Sequence, residues 1–234
     1  MASTFFDDEE FNVEVQNLLG SVRVGCGDAG ENLATVATIT NGDASGWVAA
    51  WQAIGDRVAA IADAAAAPHH DVSARDAYLR AATTYAAALA SIDGVNDPDA
   101  ALQRAFVQHR RCFDAYVDRL EPPAARVLIP YEKSTMPGYL FTPATGDAPR
   151  RTIVLDNGSD GAVTSMLGTV NAAVERVYNA LLFDGPGQQS MLFDRTIPFR
   201  MDWEHVITPM VDFLSERPDV DPGRIALYGV SQAG

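Results

Sequence analysis

The sequence predicts an α/β chain in two parts, a helical domain over residues 1–121 and then, over 122–234, the first half of a mostly parallel sheet wound with helices. Three observations predict it. The first part carries apolar residues at helical spacing, the second carries short continuous apolar runs, and segments of helical pattern alternate with those runs. In the first part, Trp47, Trp51, Ile54, Val58 and Ile61 recur at intervals of three and four, which places them on one helix face. Ser73 and Asp76 resemble a capping box, with Asp in the usual Glu position, ahead of the Ala-rich run Tyr78 to Ile92. Asp97 and Pro98 supply a capping carboxylate and a first-turn proline. The helix they open carries Leu102, Phe106, Phe113, Tyr116 and Leu120 and ends before Pro122 and Pro123. No fixed-period internal repeat is visible. Taken alone this part is a helical bundle without chemistry of its own; the functional alternative is a lid that walls a pocket.

Beyond Pro123 the texture changes. Arg126 to Tyr131 and Pro137 to Thr142 are strand-like runs separated by a short polar turn, so they predict a hairpin. Three further runs, Thr152 to Asp156, Asn179 to Asp184 and Arg224 to Gly229, are apolar throughout, the pattern of parallel strands buried on both faces. Helical segments near Val163 to Val177 and Asp202 to Glu216 lie between them, giving the strand-helix alternation of a parallel α/β sheet.

Bulk properties narrow the function. The chain has 234 residues, a formal charge of −14 and 47% apolar residues, enough for a real core. Its positive residues are scattered arginines and one lysine, Lys133, so clustered phosphate contacts to nucleic acid are not expected. The acidic start, with Asp7, Asp8, Glu9 and Glu10, is unlike a secretory signal, and the Ala-rich stretch Val58 to Ala67 is broken by Asp63 and too short to span a bilayer. Cys26 and Cys112 match no metal or redox spacing and are expected as reduced core thiols. These features fit a soluble cytoplasmic protein that binds no membrane.

The last strand runs into Gly229-Val230-Ser231-Gln232-Ala233-Gly234, close to the G-x-S-x-G nucleophile elbow with Ala233 at the final glycine position. In such an elbow the serine sits on a sharp strand-to-helix turn in strained backbone geometry, and small residues two before and two after let strand and helix approach. The turn lifts the Ser231 oxygen above the sheet edge and aims the Gln232 N–H at a developing oxyanion. A second donor is expected from the loop after the first parallel strand. That loop reads Asn157-Gly158-Ser159-Asp160-Gly161, and by position the Ser159 N–H is the candidate. The bland readings are a strand-end turn for the first string and a Gly-rich turn for the second; the surrounding order of strands and helices favours the site.

Other residues weigh less. Asp184, before Gly185-Pro186-Gly187, is better read as a turn cap than as a catalytic acid. Trp203 and Glu204 could line a pocket, but a tryptophan at a helix start more often packs on the sheet. Asp156 and Asp160 lack a third ligand at metal spacing, and Gly158 to Gly161 is out of register for a dinucleotide fingerprint, so neither metal nor cofactor is expected.

The loop at Leu155 to Gly161, the turn Phe183 to Gln188, the segment Phe199 to Glu204, and Val220 through Ser231 occur in the order found in one group of α/β-hydrolases. The chain resembles that group, which is similar to 2,6-dihydroxypseudooxynicotine hydrolase and to the esterase family that includes the fermentation-respiration switch protein. Ser73 to Ala81 resembles the helical domain that precedes the catalytic core in those proteins. The resemblance implies that Ser231 is the nucleophile, that Gln232 and Ser159 donate to the oxyanion, and that the acid and His follow the nucleophile in the chain. Here His69, His70, His109 and His205 all precede Ser231 and only three residues follow it. The expectation is therefore an N-terminal portion of a serine hydrolase acting on an ester, amide or C–C bond of a small organic substrate. It would be inactive alone and have an unpaired apolar sheet edge. The rival expectation is a truncated or degenerate, non-catalytic hydrolase that works as a partner-dependent binding module. Either expectation allows a homo-oligomer.

Overall fold

Four of the helices start on an aspartate, and the reason is local. The side chains of Asp8, Asp28, Asp43 and Asp97 each accept a backbone N–H three residues on, from Phe11, Glu31, Gly46 and Ala100. The computed structural model describes residues 5–144, 146 and 148–233. The chain divides into two compact units, Met1–Leu120 and Glu121–Gly234.

The first unit is helical: α1 (Glu9–Ser21), α2 (Ala29–Val36), α3 (Ala44–Ala66), α4 (Asp71–Leu89) and α5 (Pro98–Val117). The Asp97-Pro98 start of α5 is where the sequence places it. The start of α4 is not. Its N-cap is His70, without a side-chain cap, so Ser73 and Asp76 are already inside the helix and form no capping box. The cause is the tight turn after Pro68. His69 takes a left-handed backbone, φ 62°, and the His70 N–H reaches the Ala65 carbonyl at 3.0 Å, so α4 begins at once. The core is built from Trp47, Trp51 and Val58 of α3, Tyr78 and Tyr85 of α4, and Phe106, Phe113 and Tyr116 of α5. Ile61, expected on the same face as Trp47, is exposed, because the buried stripe of α3 continues through Ala62 instead.

Two matching clamps join the three long helices. Asp56 of α3 accepts from Tyr85 Oη of α4 (2.7 Å) and pairs with Arg104 of α5 (2.5 Å). Asp63 accepts from Tyr78 Oη (2.7 Å) and pairs with Arg111 (3.0 Å). Each member lies seven residues, two helical turns, from its counterpart. Cys26 and Cys112 are buried and form no disulfide, and burial pushes both thiols up to about 11.

The second unit holds a five-stranded sheet: β1 (Ala125–Tyr131), β2 (Ser134–Phe141), β3 (Arg150–Asp156), β4 (Asn179–Phe183) and β5 (Val220–Gly229), in the order β1-β2-β4-β3-β5. The hairpin β1/β2 turns at Glu132 and Lys133 and pairs Tyr131 with Ser134. β2 runs antiparallel to β4, whereas β4/β3 and β3/β5 are parallel. α6 (Leu167–Glu175), preceded by a 3-10 turn at Val163–Met166, links β3 to β4. α7 (Gln189–Phe193) and α8 (Glu204–Ser215) lie between β4 and β5. Ile129, Met136, Leu140, Val154, Leu181, Phe183, Val206, Met210 and Leu214 form the core between sheet and helices. β4 is buried along its whole length, as its apolar run predicts. β5 differs. It is the outermost strand, paired on one side with β3, and most of it is exposed, with Leu227 at 51% and Tyr228 at 45%. Among the described residues, no helix is long and apolar enough to cross a membrane.

Candidate active site

β3, β4 and β5 run parallel, so the loops that follow them, at Asn157, Asp184 and Val230, leave the sheet at one edge. Pairing of β5 with β3 continues past Gly229, where the Val230 N–H donates to the Asp156 carbonyl at 3.1 Å. The chain then turns. Ser231 has φ 57°, in the left-handed region that a residue with a Cβ enters at a cost of roughly 1–2 kcal/mol. A short 3-10 turn, Ser231–Ala233, follows and contains Gln232. Ser231 is exposed.

The loop after β3 lies directly against this serine. A Cβ on Gly158 would stand 3.0 Å from Ser231 Cβ and 3.6 Å from its Oγ, so a side chain there would fit only if the Ser231 turn gave by a few tenths of an ångström. Asn157 shapes the loop from inside: its Nδ2 donates to the Ala162 carbonyl (2.8 Å), and its Oδ1 accepts the Gly158 N–H (3.1 Å). A Cβ on Gly161 would fall 2.2 Å from Asn157 Oδ1, which explains the second glycine. Ser159 stands between the two. The structure thus brings the loop of Ser159 beside the turn of Ser231 and Gln232.

A buried carboxylate, which the sequence presents only as half of a possible metal pair, underlies this arrangement. Asp156, at the end of β3, is fully buried and accepts from Gln188 Nε2 (3.1 Å) and from Trp203 Nε1. Gln188 also donates to the Asn157 carbonyl, and its Oε1 accepts the Gly185 N–H at 2.6 Å. Burial raises the Asp156 carboxyl to about 6, against the lowering effect of its bonds to Gln188 and Trp203. Trp203 packs against the core of the sheet as expected, and it also stacks on Phe199 with ring centroids 4.6 Å apart and uses its N–H on Asp156. A carboxylate closing an apolar strand is itself a signal that donors must converge on it, but it does not say which. Asp184 is buried and accepts the Ser190 N–H (3.2 Å) and hydroxyl, closing the turn into α7.

Among the described residues no histidine or carboxylate is hydrogen-bonded to Ser231. His109 is buried in the helical unit with Nδ1 2.8 Å from the Ala82 carbonyl, and burial holds its pKa down at about 3. His205 is exposed, 3.6 Å from Asp202. His69 and His70 lie at the turn between α3 and α4. No group of three or more His, Cys, Asp or Glu is placed to hold a metal among the described residues.

Known proteins share both the sequence and this architecture. The chain is 32% identical over 244 residues to the α/β-hydrolase xenA of Xenoacremonium sinensis, a match covering 99% of this chain and 56% of that protein. It is 32% identical over 247 residues to the 20-hydroxy-prefusarin hydrolase of Gibberella moniliformis, covering 98% and 57%. The solved structure of 2,6-dihydroxy-pseudo-oxynicotine hydrolase superposes with a TM-score of 0.77 at 20% identity, over 92% of this chain and 58% of that one. By sequence and by fold the chain resembles the α/β-hydrolases. It has that family's mixed α/β architecture, preceded by a helical N-terminal unit, and it spans a little over half the length of the relatives it matches. No family model matches the chain.

Proposed function

We propose that this α/β-hydrolase chain supplies the nucleophile and the oxyanion donors of a serine hydrolase, with the base and the acid contributed from outside these 234 residues. Ser231 attacks the carbonyl of an ester, an amide or an activated C–C bond in a small organic substrate, and the N–H groups of Ser159 and Gln232 hold the oxyanion. The observation that carries this reading is the left-handed backbone of Ser231 at the end of a parallel strand, pressed against the Gly158 loop. Strain of that kind persists where the surrounding structure enforces it, and here it presents an exposed hydroxyl at the edge where all three loops gather. The relatives named for 20-hydroxy-prefusarin and for 2,6-dihydroxy-pseudo-oxynicotine support a small organic substrate.

Without a base the serine hydroxyl is a weak nucleophile at neutral pH, so the 234-residue chain alone is expected to turn over esters several orders of magnitude more slowly than a complete triad enzyme. A fluorophosphonate probe tests the assignment. Labelling of the full-length protein is expected to disappear in Ser231→Ala; labelling that survives the substitution places the nucleophile elsewhere. A second reading, a partner-dependent binding module, draws on one observation, the exposed Leu227 and Tyr228 on the outer strand β5. Absence of any serine labelling, together with self-association in sedimentation that Leu227→Lys abolishes, would favour it.

A further inference from the structure

We propose that Asp156 is a positioning residue, whose carboxylate holds the Asn157–Gly161 loop in register with Ser231 through Trp203 and Gln188. Five contacts carry this. Asp156 binds Trp203 Nε1 with one oxygen and Gln188 Nε2 with the other. The same Gln188 amide grips the Asn157 carbonyl, the first peptide of the loop. Gln188 Oε1 holds Gly185 N–H, which fixes the turn after β4 to the same point. The Asp156 main-chain carbonyl accepts the N–H of Val230, the residue before Ser231. One residue therefore ties the loops after β3 and β4, the approach to α8 and the Ser231 turn together.

The chemistry of this hub is unusual for a merely structural group. A fully buried carboxylate without a guanidinium or ammonium partner is costly, and an amide or apolar side chain would fill the space with less penalty. What the carboxylate adds is two acceptor oxygens of fixed direction for two N–H donors arriving from different loops. An asparagine could accept only one of them and would point its own N–H₂ at the other. The ionisable groups on the packed segments are Asp160 on the loop after β3, Asp184 after β4, and Arg200, Asp202, Glu204 and His205 around the start of α8. Asp184 is engaged by Ser190, and Arg200 pairs with Asp202 at 2.6 Å. Burial raises the Asp156 pKa, and its two N–H donors act in the opposite direction.

The consequence for chemistry rests on the reading of Ser231 given above; the positional claim does not. Hydrogen exchange tests the positional claim directly on the 234-residue chain. Amides of Gly158–Gly161 are expected to exchange at least tenfold faster in Asp156→Asn and in Trp203→Phe, which keeps the ring stack on Phe199 and removes only the N–H donor. Amides of α6 should not change. Loop exchange that is unmoved in Trp203→Phe overturns the proposal. In the full-length protein, fluorophosphonate labelling by Trp203→Phe should show a saturating rate lowered about tenfold with an unchanged half-saturating concentration. The reverse split would overturn the positioning role. A protein that labels no serine but shows the exchange behaviour retains the hub and refutes only the nucleophile.

Discussion

In the helical unit the carboxylates that join elements, Asp56 and Asp63, stand half-exposed at the rim and meet both a tyrosine and an arginine. In the sheet unit the carboxylate that joins elements, Asp156, is fully buried and meets two neutral N–H groups. The first arrangement costs little, because the charges remain solvated and paired, and it contributes little beyond helix register. The second is expensive, and it is surrounded by further buried polar side chains: Asn157, Asp184, Gln188, Gln189 and Ser190. Polar groups in the helical unit support a core that hydrophobic packing already fixes. At the sheet edge the polar groups themselves are the architecture, and they converge on a serine held in a strained conformation. That contrast separates a region built to be stable from one built to hold a geometry.

The largest expected effect tests the first half of the contrast. Trp47 is fully buried, lies against Phe11 and Trp51, and donates its indole N–H to the Ala87 carbonyl at 2.8 Å. Trp47→Ala should cost about 4 kcal/mol in urea denaturation, through the cavity and the orphaned carbonyl. A cost under about 1 kcal/mol would mean that the core does not carry the helical unit.

The next test uses pH, where the two regions should respond with opposite sign. His109 has a folded pKa near 3 against an ordinary 6.5, so the unfolded chain binds its proton first, and stability is lost as pH falls below about 6.5. By pH 4 this single group should account for about 3 kcal/mol. Asp156 has a folded pKa near 6 against an ordinary 3.8, so the folded chain binds the proton first, and its contribution to stability rises as pH falls from about 6 to 4. The two slopes overlap in the intact chain. His109→Phe should therefore make the protein gain stability between pH 7 and pH 4 relative to the parent, and Asp156→Asn should make it lose stability relative to the parent. Denaturation of both variants at the two pH values checks the signs, and equal signs would erase the contrast.

What could be read in advance follows the range of the interactions. The cap at Asp97 and the turn at Ser231 are strings of a few residues, and the chain alone specifies them. The start of α4 was misread because two local signals competed and the turn at His69 came first. β5 carries two expectations, burial from its apolar run and an unpaired apolar edge from the resemblance, and its exposure agrees with the second. The hub at Asp156 was invisible because Gln188 and Trp203 lie 32 and 47 residues away in sequence. The clamp residues Asp56, Tyr85 and Arg104 were likewise readable as helix surface and not as partners.

The smallest effect sharpens the meaning of strain. Ser231 is not alone in the left-handed region; Val177 sits there too, at φ 63°, and a β-branched residue is disfavoured there more than serine is. Its position explains why. The Tyr178 N–H bonds to the Ala173 carbonyl at 3.0 Å and the Val177 N–H to the Val174 carbonyl at 3.0 Å, the pair of bonds that ends a helix on a left-handed residue, where glycine is usual. Val177 is half-exposed, so little packing is lost when its side chain is removed. Val177→Gly should therefore stabilise the protein by about 1 kcal/mol, the strain relief exceeding the added freedom of the unfolded chain. It should also leave fluorophosphonate labelling unchanged, because this turn feeds β4 from the end opposite the loops that gather at Ser231. A stabilised variant that still labels would show that strain at Val177 can be removed without loss, and that strain at Ser231 is kept for its place beside Gly158. A variant that labels poorly would mean that the two ends of β4 are coupled.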